Sequence, residues 1–409
     1  MAYSRIPRIT GTSALDTAAT PALVTRQLTL AFIASFAALT SFYLLLSVVP
    51  KYAATAGAGG VGAGLATGAL FFSTTLTELA TPRLVARRGY RGVFAAGLLL
   101  LGLPAFAFSA STSMASIAAV CALRGIGLAI VVVVGSALVA YLAPPERRGE
   151  ALGLYGVVVG LPSIAALPLG LWLAARVGYG PVFVTGALTA LAGLAALPGL
   201  SDGEPRVEPA AGVMAALKAP ALVLPSFAFL TTAVAAGVVV TFVPLAAPHA
   251  LEGLAALALL LFGAASTLTR WWAGRYQDRH PRIDLLRPSV VLAGIGIAGL
   301  VLIDRPLALL ATTTLVGAGF GVAQNASITL MFALVPRTEY DSVSAVWNLA
   351  YDAGLGTGGA GFGLLASRTG YPAGFVLTGA VMLVLLAGVW RSVHLVPRMP
   401  PATETAGPQ

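Results

Sequence analysis

With 409 residues, 58% hydrophobic and only 10% charged side chains, and a mean hydropathy of +0.90, the chain lies far outside the composition of soluble proteins, in which about a quarter of residues are charged. A net charge of +9 does not by itself point to nucleic acid, because basic residues can be confined to loops for topology alone. The single cysteine, Cys121, excludes an intramolecular disulfide, and His249, His280 and His394 are far apart, so no metal site is expected.

Apolar stretches recur along the chain, and about 20 such residues in a helix cross a bilayer core about 30 Å thick. We place twelve spans at 28–49, 58–80, 93–110, 114–142, 151–174 and 181–199, then 219–245, 251–272, 288–304, 306–335, 342–366 and 373–395. No small-residue cleavage site follows the first stretch, so it reads as a span rather than a signal peptide. The most polar internal segment, SDGEPRVEPAAGVMAALK, separates spans six and seven. The expected organisation is a tail at 1–27, a six-helix half at 28–199, a central loop at 200–218, a second half at 219–395 and a tail at 396–409.

Lys and Arg alternate in number from one side to the other. Eighteen fall on the side of both termini and four, Lys51, Arg176, Arg305 and Arg368, on the opposite side, with Arg124 and Arg270 left inside spans. Cytoplasmic loops retain positive charge, so both termini are expected in the cytoplasm. The basic balance is then topological, and no nucleic-acid partner is expected. Arginine outnumbers lysine 22 to 2 in a chain rich in Ala and Gly, which fits a GC-rich bacterial genome and a bacterial plasma membrane.

The two halves match at an offset of 192 residues. LAARVGYGPVFV at 173–184 aligns with LASRTGYPAGFV at 365–376 in seven of twelve positions, LRGIG at 123–127 faces LVGAG at 315–319, and TLTE at 75–78 faces TLTR at 267–270. Ungapped matches at one offset mark a duplicated helical half, a pattern common among transporter folds.

After span eight the chain reads GRYQDRHPR, with Gly274, Asp278 and Arg279, and after span two it reads PRLVARRGYR, with Pro82 and Ala86 at the corresponding Gly and Asp positions. These loops, together with LAPPERRGEALGLYG at 142–156 and the span-five run GVVVGLPSIAALPLG, resemble the major facilitator superfamily. Within it the chain resembles bacterial, actinobacterial-type efflux permeases for drugs and metabolites. The resemblance covers nearly the whole chain. It implies an all-α integral membrane protein whose twelve transmembrane helices form two pseudo-symmetric six-helix bundles, with span two facing eleven and span eight facing five. It also implies a membrane-buried arginine in span four, which Arg124 matches, and a loop-based cytoplasmic gate involving Gly274, Asp278 and Arg279. Ala86 leaves the first half without the corresponding aspartate. Gly156, Gly160 and Pro162 resemble the span-five motif of the antiporter branch. Read physically, glycines four apart let helices approach closely, so a packing role is expected there.

Ionisable residues inside spans carry the sharpest signals, because a charge at the bilayer centre costs about 2.5–3.5 kcal/mol on insertion scales. Asp352 lies about ten residues into span eleven, roughly 15 Å deep at 1.5 Å per residue. Asn348 shares its face, and Trp347 and Tyr351 form a neighbouring pair. Asp352 reads either as a proton carrier or cation binder, or as one end of a fixed interhelical bond. Arg124, at similar depth, can serve the same proton, bind an anion or stabilise a carboxylate. Glu78 and Arg270 occupy equivalent repeat positions at the ends of spans two and eight, with opposite charge. They are gate candidates, and a latch between Arg270 and Glu150 is expected. Phe36, Phe42, Tyr43, Phe227, Phe229 and Phe242 are candidate cavity aromatics, or else core.

The motif G-x-G-x-x-G is met by Gly354, Gly356 and Gly359, but it lies in an apolar span with no strand before it, so nucleotide binding and ATP-driven pumping are not expected. No HExxH, GxSxG or paired-aspartate motif supports an enzyme. The expected activity is proton-coupled efflux of a small drug-like or secondary-metabolite compound by alternating access. It would be driven by the proton gradient without a cofactor, and its partners would be substrate, protons and lipid. A monomer is expected. An importer or facilitator of a polar solute shares the same fold, and a transport-inactive receptor or scaffold is the reading from another class.

Overall fold

The computed structural model describes residues 25–110, 112–144, 147–200, 217–280, 284–336 and 339–393. The expected C-terminal tail, all of the N-terminal tail but its last three residues, and most of the central loop lie outside the described residues. Among the described residues the chain is helical, without a strand. Span one is Arg26–Leu46 continued by Val48–Ala53, span two is Gly59–Glu78, and span three is the part of Thr81–Phe106 beyond Gly89. Spans four to six are Met114–Leu142, Arg148–Val177 and Tyr179–Ala192. Spans seven to ten are Pro220–Ala246, Glu252–Arg279, Leu286–Gly299 and Pro306–Ala333, and Tyr340–Val393 supplies spans eleven and twelve about a break at Gly370.

Nine continuous helical stretches among the described residues are long and apolar enough to cross a membrane. Two of them, Arg26–Glu78 and Ser342–Ala387, each carry two expected spans, and Leu286–Leu302 is a shorter apolar helix. A lipid core offers backbone groups no water, so each span must close its own hydrogen bonds. Hydroxyls do likewise, as when Thr40 Oγ1 donates to the Phe36 carbonyl and Thr313 Oγ1 to that of Leu309, both at 2.7 Å. Leu307, Val384 and Phe72 are 83%, 70% and 68% exposed, an apolar exterior suited to acyl chains.

The repeat is visible in the backbone. Gly178 (φ 82°, ψ 176°) and Gly370 (φ 75°, ψ 163°) stand at equivalent positions and turn the chain into spans six and twelve in the same left-handed conformation, which glycine adopts without a Cβ penalty. Helix contacts repeat as well. A Cβ on Gly125 would run into the Leu70 carbonyl of span two, and one on Gly317 into the Phe262 carbonyl of span eight. These partners are again 192 residues apart, so the duplication preserves packing as well as hydropathy.

Each half is held by contacts among its own six spans, and the halves meet mainly along two seams, spans two with eleven and spans five with eight. The repeat exchanges the seams. Away from the end carrying Arg83, Arg87, Arg275 and Arg279, here called the basic end, the first seam is sealed by backbone contact. A Cβ on Gly64 would meet the Gly359 carbonyl oxygen at 2.5 Å, and one on Gly363 the Gly60 oxygen at 2.8 Å. Beside it, Thr67 and Thr241 join spans two and seven through hydroxyls 3.0 Å apart.

Span five departs from expectation. No atom beyond the helix lies within 4 Å of a Cβ placed on Gly156 or Gly160, so neither is a close-packing glycine. Pro162 is buried. The glycine of this span that packs closely is Gly170, against the Leu44 carbonyl of span one. Spans five and eight touch where Gly263 lies against Ser163 and Ile164. Toward the basic end nothing closes over Gly160, Gly156 or Gly153, because the contact face there is glycine with no side chain to fill the gap.

Candidate functional site

The first seam brings together two residues that the sequence placed 274 positions apart. Glu78 ends span two and Asp352, 6% exposed, lies in span eleven, and their carboxyl groups come within hydrogen-bonding reach of each other. An ionised carboxylate only accepts hydrogen bonds, so such a bond requires one of the two to hold a proton. Two acidic side chains, one from each half, thus lie close together in this seam.

One residue before Asp352, Tyr351 lies near Tyr43 of span one. Asp352 and Arg270 lie near the same two phenols. Arg270, from span eight, is solvent-accessible although both halves surround it. Its Nη1 donates to Gln324 Oε1 at 3.0 Å, and Gln324 Nε2 donates to Ser266 Oγ at 3.1 Å. Gln324 and Ser266 are both 8% exposed, so the guanidinium rests on a buried, hydrogen-bonded support. Glu78, Asp352, Tyr351, Tyr43, Arg270 and Gln324 thus form one row of polar groups from both halves.

An aromatic wall backs this row. Trp347 stacks on Phe229 at 4.5 Å between ring centroids, Phe229 on Phe320 at 6.2 Å, and Phe320 on Tyr351 at 5.9 Å. Trp347 Nε1 donates to Ser327 Oγ at 2.9 Å, which fixes the indole plane. Phe229 and Phe320 are buried while Trp347 and Tyr351 are half-buried, so the latter two form the exposed surface of the wall. Asn348 is half-buried one turn before Asp352.

Several expected residues fall elsewhere. Arg124 is 1% exposed and donates to two carbonyls, Nη1 to Leu101 in span three at 3.0 Å and Nη2 to Ser41 in span one at 3.3 Å. It is held inside the first half, and the partner Asp352 meets is Glu78. The latch between Arg270 and Glu150 is not formed: Glu150 pairs with Arg147 at 2.9 Å within span five's first turn, and Arg270 with Gln324. Proximity decides this, since a residue three positions away reaches Glu150 without the halves moving. Gly274 lies against Asn325 of span ten, Arg279 is exposed at the end of span eight, and the Asp278 side chain lies outside the described residues. Phe42 and Phe242 are core. Gly354, Gly356 and Gly359 pack against Leu230, Phe71 and Thr67.

Sequence reasoning named Glu78 and Asp352 separately but not as a pair, and it missed Gln324 and Ser266. The signal for Gln324 is faint but present: with Asn325 it makes a pair of adjacent amides within a mostly apolar span.

Residues 31–358 and 253–409 match the sequence profile of the Major Facilitator Superfamily. A chloramphenicol resistance protein of Streptomyces lividans is 30% identical over 336 residues, covering 75% of this chain and 79% of that protein. Among solved structures, a POT family transporter in complex with a thioalcohol-conjugated peptide superposes with a TM-score of 0.72 at 12% identity, covering 90% of this chain and 96% of that one. The nucleoside transporter NupG superposes equally, with a TM-score of 0.72 at 12% identity over 90% of this chain and 99% of that one. At such identities these structures speak for the fold alone.

Proposed function

This chain belongs to the major facilitator superfamily, and we propose that it exports a small drug-like or secondary-metabolite compound in exchange for protons. The observation that carries this reading is the Glu78 and Asp352 carboxyl pair, set between the halves and one residue from the aromatic wall. A proton held there joins spans two and eleven. Its release leaves two like charges, which at 4 Å repel by about 4 kcal/mol at an effective dielectric of 20, enough to loosen that seam. Protons and substrate thus act on one cavity and bias the same pair of states, as exchange requires.

The chloramphenicol resistance relative supports export as the direction. The basic end faces the cytoplasm of a bacterial cell in this reading, with both termini inside, and a single chain contains every group the cycle uses. The experiment is an efflux assay in everted vesicles. Acidifying the lumen is expected to drive uptake of chloramphenicol or a related compound, and a protonophore to abolish it. Uptake into intact cells in place of extrusion would make the protein an importer.

A further inference from the structure

The repeat sets Glu78 of the first seam against Arg270 of the second, and Asp352 against Gly160. In the first seam the acidic side chain of one helix meets a carboxyl group on the other. In the second, the arginine has no such counterpart. Where the repeat would place the carboxyl there is glycine, and no atom beyond the helix lies within 4 Å of a Cβ built on it or on Gly156, the repeat mate of Asn348. Among the described residues no carboxylate is within ion-pair distance of Arg270. Its one side-chain hydrogen bond goes to Gln324, leaving most of its five donors unused.

We infer that Arg270 is a substrate-recognition residue, and that the substrate carries a planar pair of oxygen acceptors, as in a carboxylate or nitro group, joined to a flat ring. This rests on the export reading above, with substrate taken up between the halves. A guanidinium offers parallel donors in a rigid fork that a planar oxygen pair matches in bidentate fashion. The fork is held in advance: Gln324 fixes Nη1, Ser266 fixes Gln324, and both supports are buried. Immobilisation of this kind lowers the ordering cost of binding. Tyr351, near Arg270, and Trp347, one turn before it in span eleven, have half-buried ring surfaces stacked 6.0 Å apart between centroids, a platform for the ring that bears the oxygens. The ligand would supply to the second seam the acceptor that Asp352 supplies to the first.

The test is calorimetric titration of the purified full-length protein in detergent with 4-nitrobenzyl alcohol and 4-aminobenzyl alcohol, which share a ring and differ in the acceptor pair. The wild type is expected to bind the nitro compound at least about tenfold more tightly. Arg270→Gln is expected to remove that preference while leaving the affinity for the amino compound, which also reports that the variant is folded. Arg270→Lys keeps the charge without the fork and is expected to lose most of the preference. Gly160→Asp, which places a carboxylate opposite Arg270, is expected to displace the nitro compound selectively. Equal affinities in the wild type, a preference that survives in Arg270→Gln, or no measurable binding of either compound would each overturn the inference. Binding needs no proton gradient, so a protein with this preference that exports nothing would overturn the export reading and leave this one standing.

Discussion

The two seams began as copies and now do different chemistry. Spans two and eleven meet along a glycine-lined backbone contact and carry two carboxyl groups at the basic end. Spans five and eight touch at Gly263, and there the repeat mates of Glu78 and Asp352 are Arg270 and Gly160. In the cycle proposed above, one seam would be opened and closed by a proton, because the two charges it exposes repel. The other carries a fixed positive charge that no ordinary pH removes, so it can respond only to a ligand. Dividing the two tasks between the seams lets the same rocking motion be driven from either side of the molecule.

The largest expected effect is at the proton seam. Asp352→Asn and Glu78→Gln should each reduce proton-driven export by at least about a hundredfold, the scale on which a positioned proton-transfer group acts, while protein levels in the membrane stay normal. The double variant should be little worse than either single one, since both remove the same shared proton. Independent, additive losses in the vesicle assay would separate the two carboxyls. Next in size is the seal of that seam. Thr67→Cys with Thr241→Cys, in a Cys121→Ser background, should give a protein that stops transporting on oxidation and recovers with reductant. Full activity after quantitative crosslinking would mean that this contact does not open in the cycle.

A smaller effect separates a glycine packed inside a half from one left open in span five. Gly125→Ala forces a methyl against the Leu70 carbonyl and should destabilise by about 1–3 kcal/mol, whereas Gly156→Ala meets no neighbour and should stay within about 0.5 kcal/mol in thermal unfolding. Equal losses would restore the packing role that the sequence suggested for Gly156. The smallest effect is expected at the exposed pair of Arg147 and Glu150, where Glu150→Ala should change stability by no more than about 0.5 kcal/mol. Charge reversal at both Arg270 and Glu150 should give no rescue, since the two are not partners here.

Much of the fold was legible because lipid imposes simple rules. Every span needs a long apolar run, and loops carry charge, so hydropathy and the 192-residue offset located the helices and the duplication without any knowledge of contacts. The turn at Gly178 and Gly370 was visible in the repeated Gly-Tyr pair. Individual site residues were legible too, since Asp352, Glu78, Arg124 and Arg270 are charges in places where charge is costly.

Their partners were not. Pairing Asp352 with Glu78 and not Arg124, seating Arg270 on Gln324 rather than Glu150, and leaving Gly156 and Gly160 uncovered depend on which helix faces touch and how far two helices diverge. A glycine written in sequence reads the same whether a neighbouring backbone lies against it, as at Gly125, or nothing does, as at Gly160. The sequence determined that this chain spans a membrane as two equivalent halves, because solvation by lipid acts on each segment locally. Only the tertiary structure decided which ionisable side chains lie together and which has no carboxylate beside it, because hydrogen bonds and ion pairs depend on distances of a few ångströms between residues far apart in the chain.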